Sequence, residues 1–227
     1  MNYVHRLIEN NAIGNLNKGK AIVIYGPRRS GKTTLAKKLL ESYDQSDTVQ
    51  YNCDDVATLK LMVRSEHNIN SLIAGKKVVF IDEAQNIENA GLFVKLAVDS
   101  FPEIQFIVTG SSSFELADSV NESMVGRAYN YTLLPFSVAE IATTPLIRAS
   151  IEIERIMSYG LYPEVVESSP QESSLLLESI VNGSLYKDIL KNTTIRNEPV
   201  LKKLLVALAL QVGSEVSYNE LAGMLEV

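Results

Sequence analysis

The sequence predicts an α/β fold, a parallel sheet flanked by helices, and two stretches carry the prediction. The apolar run Ala21-Ile22-Val23-Ile24-Tyr25 passes through Gly26-Pro27-Arg28-Arg29-Ser30-Gly31-Lys32-Thr33 into the helical pattern that begins at Thr34. Farther on, Val78-Val79-Phe80-Ile81 is a second continuous apolar run, ending in the acids Asp82 and Glu83. Strands buried on both faces read as unbroken apolar runs, and open parallel sheets gather their ligands at strand carboxyl ends.

The spacing of the first stretch is G-x-x-x-x-G-K-T, set between a strand and a helix. Such a loop wraps main-chain N–H groups round a phosphate chain; its glycines allow close approach, and the helix N-terminus behind it favours negative charge. The expected nucleotide ligands are therefore Gly26, Pro27, Arg28, Arg29, Ser30, Gly31, Lys32, Thr33 and Thr34. Lys32 reaches the β- and γ-phosphates and the Thr33 hydroxyl ligates Mg²⁺. Asp82 is expected to hold the shell of that metal, and Glu83 to orient or deprotonate an attacking water.

The chain has 227 residues, 46% of them hydrophobic, enough for an α/β core of about 150 residues and a smaller appendage. A net charge of −6 argues against a globally basic nucleic-acid binder. Cys53 is the only cysteine, so no intrachain disulfide forms, and no Cys/His group has zinc spacing. The start, Met1 to Arg6, lacks the apolar core of a signal peptide, and Leu204 to Leu210 is too short to span a bilayer. A soluble, cytoplasmic protein with no membrane association is expected.

In chain order, Val4, Leu7, Ile8 and Ala12 have helical spacing and predict a leading helix over 3–15, stopped at Gly14. A polar turn at 15–20 leads into the first strand, and the helix after the loop runs to Glu41. Residues 48–51 read as a second strand. Asp54 and Asp55 then either face the metal or cap the next helix, and the cap is favoured. Helices follow from Val56 and over 68–74, then the acid-tipped strand and a helix over 88–100. Residues 104–110 form a fourth strand whose Thr109 hydroxyl can bond the γ-phosphate or the water; the serines 111–113 behind it also suit a plain turn. After a connection over 114–124 come Gly126 and Arg127, a peripheral strand over 128–133, and a Ser137-x-x-Glu140 capping box. Arg127 is a candidate guanidinium for the γ-phosphate, in cis or across a subunit contact, which would imply self-association.

Together, Gly26 to Thr33, Phe80-Ile81-Asp82-Glu83-Ala84-Gln85, Val108-Thr109-Gly110-Ser111-Ser112-Ser113, Gly126-Arg127 and Leu134-Pro135-Phe136-Ser137-Val138-Ala139-Glu140 resemble successive motifs of one prokaryotic AAA-type ATPase family. This is the fourteenth AAA domain group, related to the archaeal and origin-recognition ATPases, and the resemblance covers almost the whole chain. It implies a P-loop sheet of order 5-1-4-3-2 over residues 1–147, a helical lid over 148–197, and the start of a winged-helix or helix-turn-helix-like region over 198–227. Tyr159-Gly160-Leu161-Tyr162-Pro163-Glu164 resembles the family's Gly-Gly-Tyr-Pro-Glu segment, with Leu161 at the second glycine. That likeness would put Pro163 near adenine, while residue chemistry alone reads Gly160 and Pro163 as punctuation between helices. Helical patterns follow over 174–191 and 198–212, and Ser217 with Glu220 forms a second capping box. Family members continue into a C-terminal domain of unknown function, and the chain is expected to be truncated before it, without the helix that would read DNA.

The leading expectation is an ATP-binding protein that hydrolyses ATP with Mg²⁺ and couples this to a conformational switch. The alternative is a non-hydrolysing ATP/ADP-binding regulatory module acting on a partner or C-terminal effector, with DNA contact by 198–227 as a weaker reading. A GTPase is disfavoured, since there is no Asn-Lys-x-Asp segment and Asp82-Glu83-Ala84-Gln85 lacks the switch glycine.

Overall fold

Five strands form one wholly parallel sheet in the order β2-β3-β4-β1-β5. They are β1 (Ala21–Tyr25), β2 (Thr48–Asn52), β3 (Val78–Asp82), β4 (Gln105–Gly110) and β5 (Ala128–Thr132), and the computed structural model describes residues 3–111, 124–142, 153–185 and 198–225. This is the 5-1-4-3-2 order expected from the resemblance, counted from the other edge. Every residue of β1 and β4 is buried, whereas the edge strands β2 and β5 are at most half-buried. Continuous apolar runs mark the central strands because helices cover both faces there.

Alternation along each strand divides the core in two. Ala21, Val23 and Tyr25 join Val79, Ile81, Phe106 and Val108 on one face, packed with Ile69, Leu72, Phe93 and Ala97. Those last four come from α4 (Glu66–Ile73) and α5 (Ala90–Ser100). Ile22, Ile24, Phe80 and Ile107 face the other way, against Leu35 and Leu39 of α2 (Lys32–Leu40) and Ala12 of α1 (Glu9–Gly14). Between β2 and α4, α3 (Val56–Leu61) starts at Asp55, whose carboxylate accepts from Thr58 N, so the favoured capping role holds for it. The α4 helix begins at Glu66 because Ser65 Oγ accepts from Asn68 N.

The leading helix is shorter than its spacing predicts, for α1 starts only at Glu9. The reason is Arg6, which is drawn into the interior instead of continuing a helix. Its Nε donates to Glu140 Oε1 at 3.0 Å, Nη1 to the Ser30 carbonyl at 2.9 Å and Nη2 to the Leu134 carbonyl at 2.6 Å. Its guanidinium also lies 4.7 Å from the Phe136 ring centroid, within cation–π range. Glu140 belongs to α6 (Val138–Ala142), where the capping box forms: Ser137 N donates to Oε2 and Glu140 N to Ser137 Oγ.

Burial works against the charged Glu140 carboxylate, but the Ser137 and Leu7 N–H groups and the Arg6 guanidinium outweigh it and hold the pKa below the ordinary 4.5. A depressed carboxylate contributes stability that is fully present above its unfolded pKa and is lost as pH falls through the folded one. Glu140 should therefore support the fold at neutral pH and lose that contribution below about pH 4.5. Chemical denaturation of wild type and Glu140→Gln across pH 3–7 checks this, with the gap between the two narrowing towards the acid end.

The chain divides into two compact units, residues 1–173 and 174–227. In the first, α7 (Ile153–Tyr159) is stopped by Gly160 at φ 71°, and α8 (Pro163–Val166) has its proline at the first helical position. Ser169 and Glu172 make a reciprocal cap for α9 (Pro170–Ile180), which runs on past Ser173. In the second unit, α10 (Glu198–Leu210) and α11 (Tyr218–Leu225) pack on each other, with Leu201, Ala207, Leu221 and Leu225 buried. Ser217 Oγ accepts from Glu220 N at the start of α11, the second cap expected from sequence. No helix among the described residues is long and apolar enough to cross a membrane.

Candidate functional site

The loop between β1 and α2 is shaped by its two glycines. A Cβ on Gly26 would stand 2.1 Å from the Leu133 carbonyl oxygen, because Leu133 N bonds Tyr25 O at 2.7 Å and draws the end of β5 against the loop. Gly31, at φ 95°, is the N-cap of α2, and Arg29 between them also has positive φ. Gly26→Ala should push the loop off the end of β5, since no backbone carbonyl can yield to such a contact. An ATP titration should show affinity at least about tenfold weaker, the equivalent of 1.4 kcal/mol.

Inside the loop, Lys32 Nζ donates to the carbonyls of Gly26 and Pro27 at 3.0 and 2.9 Å, so its ammonium lies over the loop mouth. Ser30 Oγ is buried with no hydrogen-bond partner among the described residues. An ammonium at a loop mouth, an orphaned hydroxyl and a helix N-terminus form a cradle suited to a phosphate chain.

The acidic tip of β3 sits directly against this loop. Thr33 Oγ1 donates to the Asp82 carboxylate at 2.9 Å to Oδ2 and 3.1 Å to Oδ1. From the neighbouring strand tip, Thr109 Oγ1 donates to Asp82 Oδ1 and accepts from Glu83 N at 3.1 Å. Glu83 takes a left-handed backbone, φ 56°, which turns the chain out of the strand. Parallel register puts these ends side by side: β3 pairs with β4, β4 with β1, and the loop continues β1.

No group of three acidic, histidine or cysteine side chains able to hold a metal is found among the described residues. A hydroxyl and one carboxylate beside a phosphate cradle suit Mg²⁺, which binds through one or two carboxylates, substrate phosphates and retained waters. Cys53 lies behind this tip, its N–H bonded to Asp82 O, and burial followed by the nearby carboxylates pushes its thiol up to about 12. It stays protonated and outside the chemistry.

Arg127 is not brought to this cluster. It precedes β5 and its carbonyl accepts from Ala21 N, at the start of β1, so it lies at the end of the sheet opposite the loop. Its Nε pairs with Asp99 at 2.6 Å. The expected role in cis is therefore corrected: the length of β1, five residues or roughly 16 Å, separates the guanidinium from the phosphate cradle. Ser112 and Ser113 lie outside the described residues.

Beside the loop opens a cavity of about 160 Å³ whose walls include Tyr3, Val4, Gly31, Thr34, Phe136 and Pro163, with Arg6 and Glu167 as its charged members. Most of this lining is apolar or aromatic, as a flat heterocyclic base requires. Pro163 is held there by two contacts on either side of it: Phe136 N donates to Leu161 O at 2.9 Å, and Arg29 pairs with Glu164 at 3.3 Å. Leu161 acts through its carbonyl, so a side chain at the family's glycine position does not break the contact. The sequence reading missed Tyr3, Val4, Arg6, Phe136 and Glu140 as site components. Only the Glu140 cap had a local signal.

A family described as AAA domain matches residues 18–142, and one described as a domain of unknown function matches residues 151–227. A domain of unknown function, expected only beyond residue 227, is thus matched within the chain itself, over residues expected to form the lid and the start of a helix-turn-helix-like region. An uncharacterized protein of Methanocaldococcus jannaschii is 26% identical over 91% of this chain and 50% of its own length. Another, from Mycobacterium tuberculosis, is 24% identical over 93% of this chain and 46% of its own. The chain spans about half the length of the curated relatives it matches. Locally, the replication factor C large subunit of Pyrococcus abyssi is 35% identical over 34% of this chain and 17% of its own length. Among solved structures, the replication initiator DnaA bound to AMPPCP and single-stranded DNA shares the fold, at TM-score 0.51 and 14% identity, over 94% of this chain and 73% of that one.

Proposed function

From a chain that belongs to the AAA domain family through residues 18–142, we propose an ATP-binding protein that hydrolyses ATP with Mg²⁺ and changes conformation as it does so. The observation that carries the proposal is the unbroken line of contacts from Thr33 through Asp82 and Thr109 to Glu83. It runs from the loop through Asp82 to the main chain of Glu83, which supports reading Thr33 and Asp82 as metal ligands and Glu83 as the group that activates water.

In this reading the loop amides and Lys32 hold the triphosphate, and the cavity bounded by Tyr3, Val4, Phe136 and Pro163 takes the adenine. Thr33 and Asp82 would hold Mg²⁺, which when bound neutralises charge on the phosphate oxygens. Thr109 fixes the strand tip and Glu83 accepts the proton of the attacking water. Phosphoryl transfer asks little covalent chemistry of a protein, so positioned charges suffice. The conformational response follows from Pro163 and Glu164, which meet the loop from a separate helical segment. Any phosphate contact by Arg127 belongs to a second copy, and turnover per molecule should then rise with protein concentration.

Phosphate release measured with and without Mg²⁺, beside an ATP-binding titration, tests the reading. Release that requires Mg²⁺ supports hydrolysis. Binding with no release under either condition would leave a nucleotide-holding module in its place.

A further inference from the structure

We propose that Gln85 is the positioning residue for the Glu83 carboxylate, tying it to the main chain at the tip of β4. The proposal rests on the hydrolytic reading above and adds to it a residue for which that reading has no use. Gln85 lies in the single 3₁₀ turn Ala84–Asn86 that follows Glu83. Both ends of its side-chain amide are engaged: Nε2 donates to Glu83 Oε2 at 2.5 Å, and Oε1 accepts from Ser111 N at 3.0 Å. Such a bridge needs a donor and an acceptor on one planar group, which a glutamine supplies and an ionised glutamate does not.

Glu83 is consequently gripped twice by one strand tip. Its own N–H bonds Thr109 Oγ1, and its carboxylate is joined to Ser111 through Gln85. The remaining oxygen, Glu83 Oε1, has no hydrogen bond among the described residues. A carboxylate that takes a proton from water needs this arrangement, one oxygen fixed and the other open to the water. Without the amide the carboxylate is free to turn about its side-chain torsions, and a misplacement of about 1 Å can cost on the order of a hundredfold in rate. Because the far end of the bridge is main chain, any displacement of residue 111 moves the base with it.

The test uses the whole chain with Mg-ATP as substrate and two volume-preserving variants, Gln85→Met and Gln85→Glu. Each should lower kcat by about 10- to 100-fold with the ATP Kd and melting temperature unchanged. In a Glu83→Gln background, Gln85→Met should cause no further loss, since a residue acting through the base has nothing left to position. Wild-type kcat in both variants overturns the assignment, as does a loss confined to Kd or an undiminished loss in the Glu83→Gln background. A wild-type chain that turns over no ATP overturns the hydrolytic reading and this assignment with it.

Discussion

Glu83→Gln should bind ATP as wild type does and release phosphate about 10²- to 10⁴-fold more slowly, the range for removing a positioned general base. The substitution preserves volume and leaves the Asp82 contacts to Thr33 and Thr109 in place, so the phosphate and metal sites are undisturbed. It removes only the charge proposed to take the proton. The backbone conformation, at φ 56°, is equally open to glutamine. Parallel binding titrations and steady-state phosphate release check the split. Turnover at the wild-type rate would show that another group accepts the proton.

Arg6→Met should have the largest effect on stability. The substitution removes the one guanidinium paired in the described contacts with the buried Glu140 carboxylate, and breaking such a pair costs about 3–5 kcal/mol. The carbonyls of Ser30 and Leu134 lose their donors at the same time. For a chain of this size the melting temperature should fall by about 6–20 °C. Adding Glu140→Gln removes the buried charge, so the double variant should recover part of the loss. Because the Ser30 carbonyl belongs to the phosphate loop, Arg6→Met should also weaken ATP binding, while Glu140→Gln alone should do so less.

What the sequence revealed and what it hid divide along the range of the interaction. The strands, the loop and the acidic tip were readable because each is written in consecutive residues: apolar runs, glycines at fixed spacing, and acids at a strand end. Strand order came through the resemblance, since nothing in periodicity alone pairs β1 with both β4 and β5. The Arg6–Glu140 contact has no such signature, as one arginine and one glutamate 134 positions apart look like any two surface charges. That hidden contact also explains the misplaced start of α1. Val4, Leu7 and Ile8 have helical spacing, but Val4 instead lines the cavity while Arg6 turns inward. Arg127 was misjudged for the opposite reason. It is near its motif in sequence, yet a parallel strand puts its beginning and its end at opposite sides of the sheet.

The closure of the phosphate loop by Arg6, Leu133 and Glu140 bears on how the chain is made. A ribosome adding about 5–20 residues per second needs roughly 7–27 s between Arg6 and its partner 134 residues later. Until residues 105–110 and 128–132 have followed, β1 is without β4 and β5, and its wholly apolar sequence is open to any other strand in reach. Factors that shield nascent hydrophobic segments should therefore matter most for this chain before β4 and β5 leave the exit tunnel, and the Arg6 clasp on the loop forms only after residue 140 has followed.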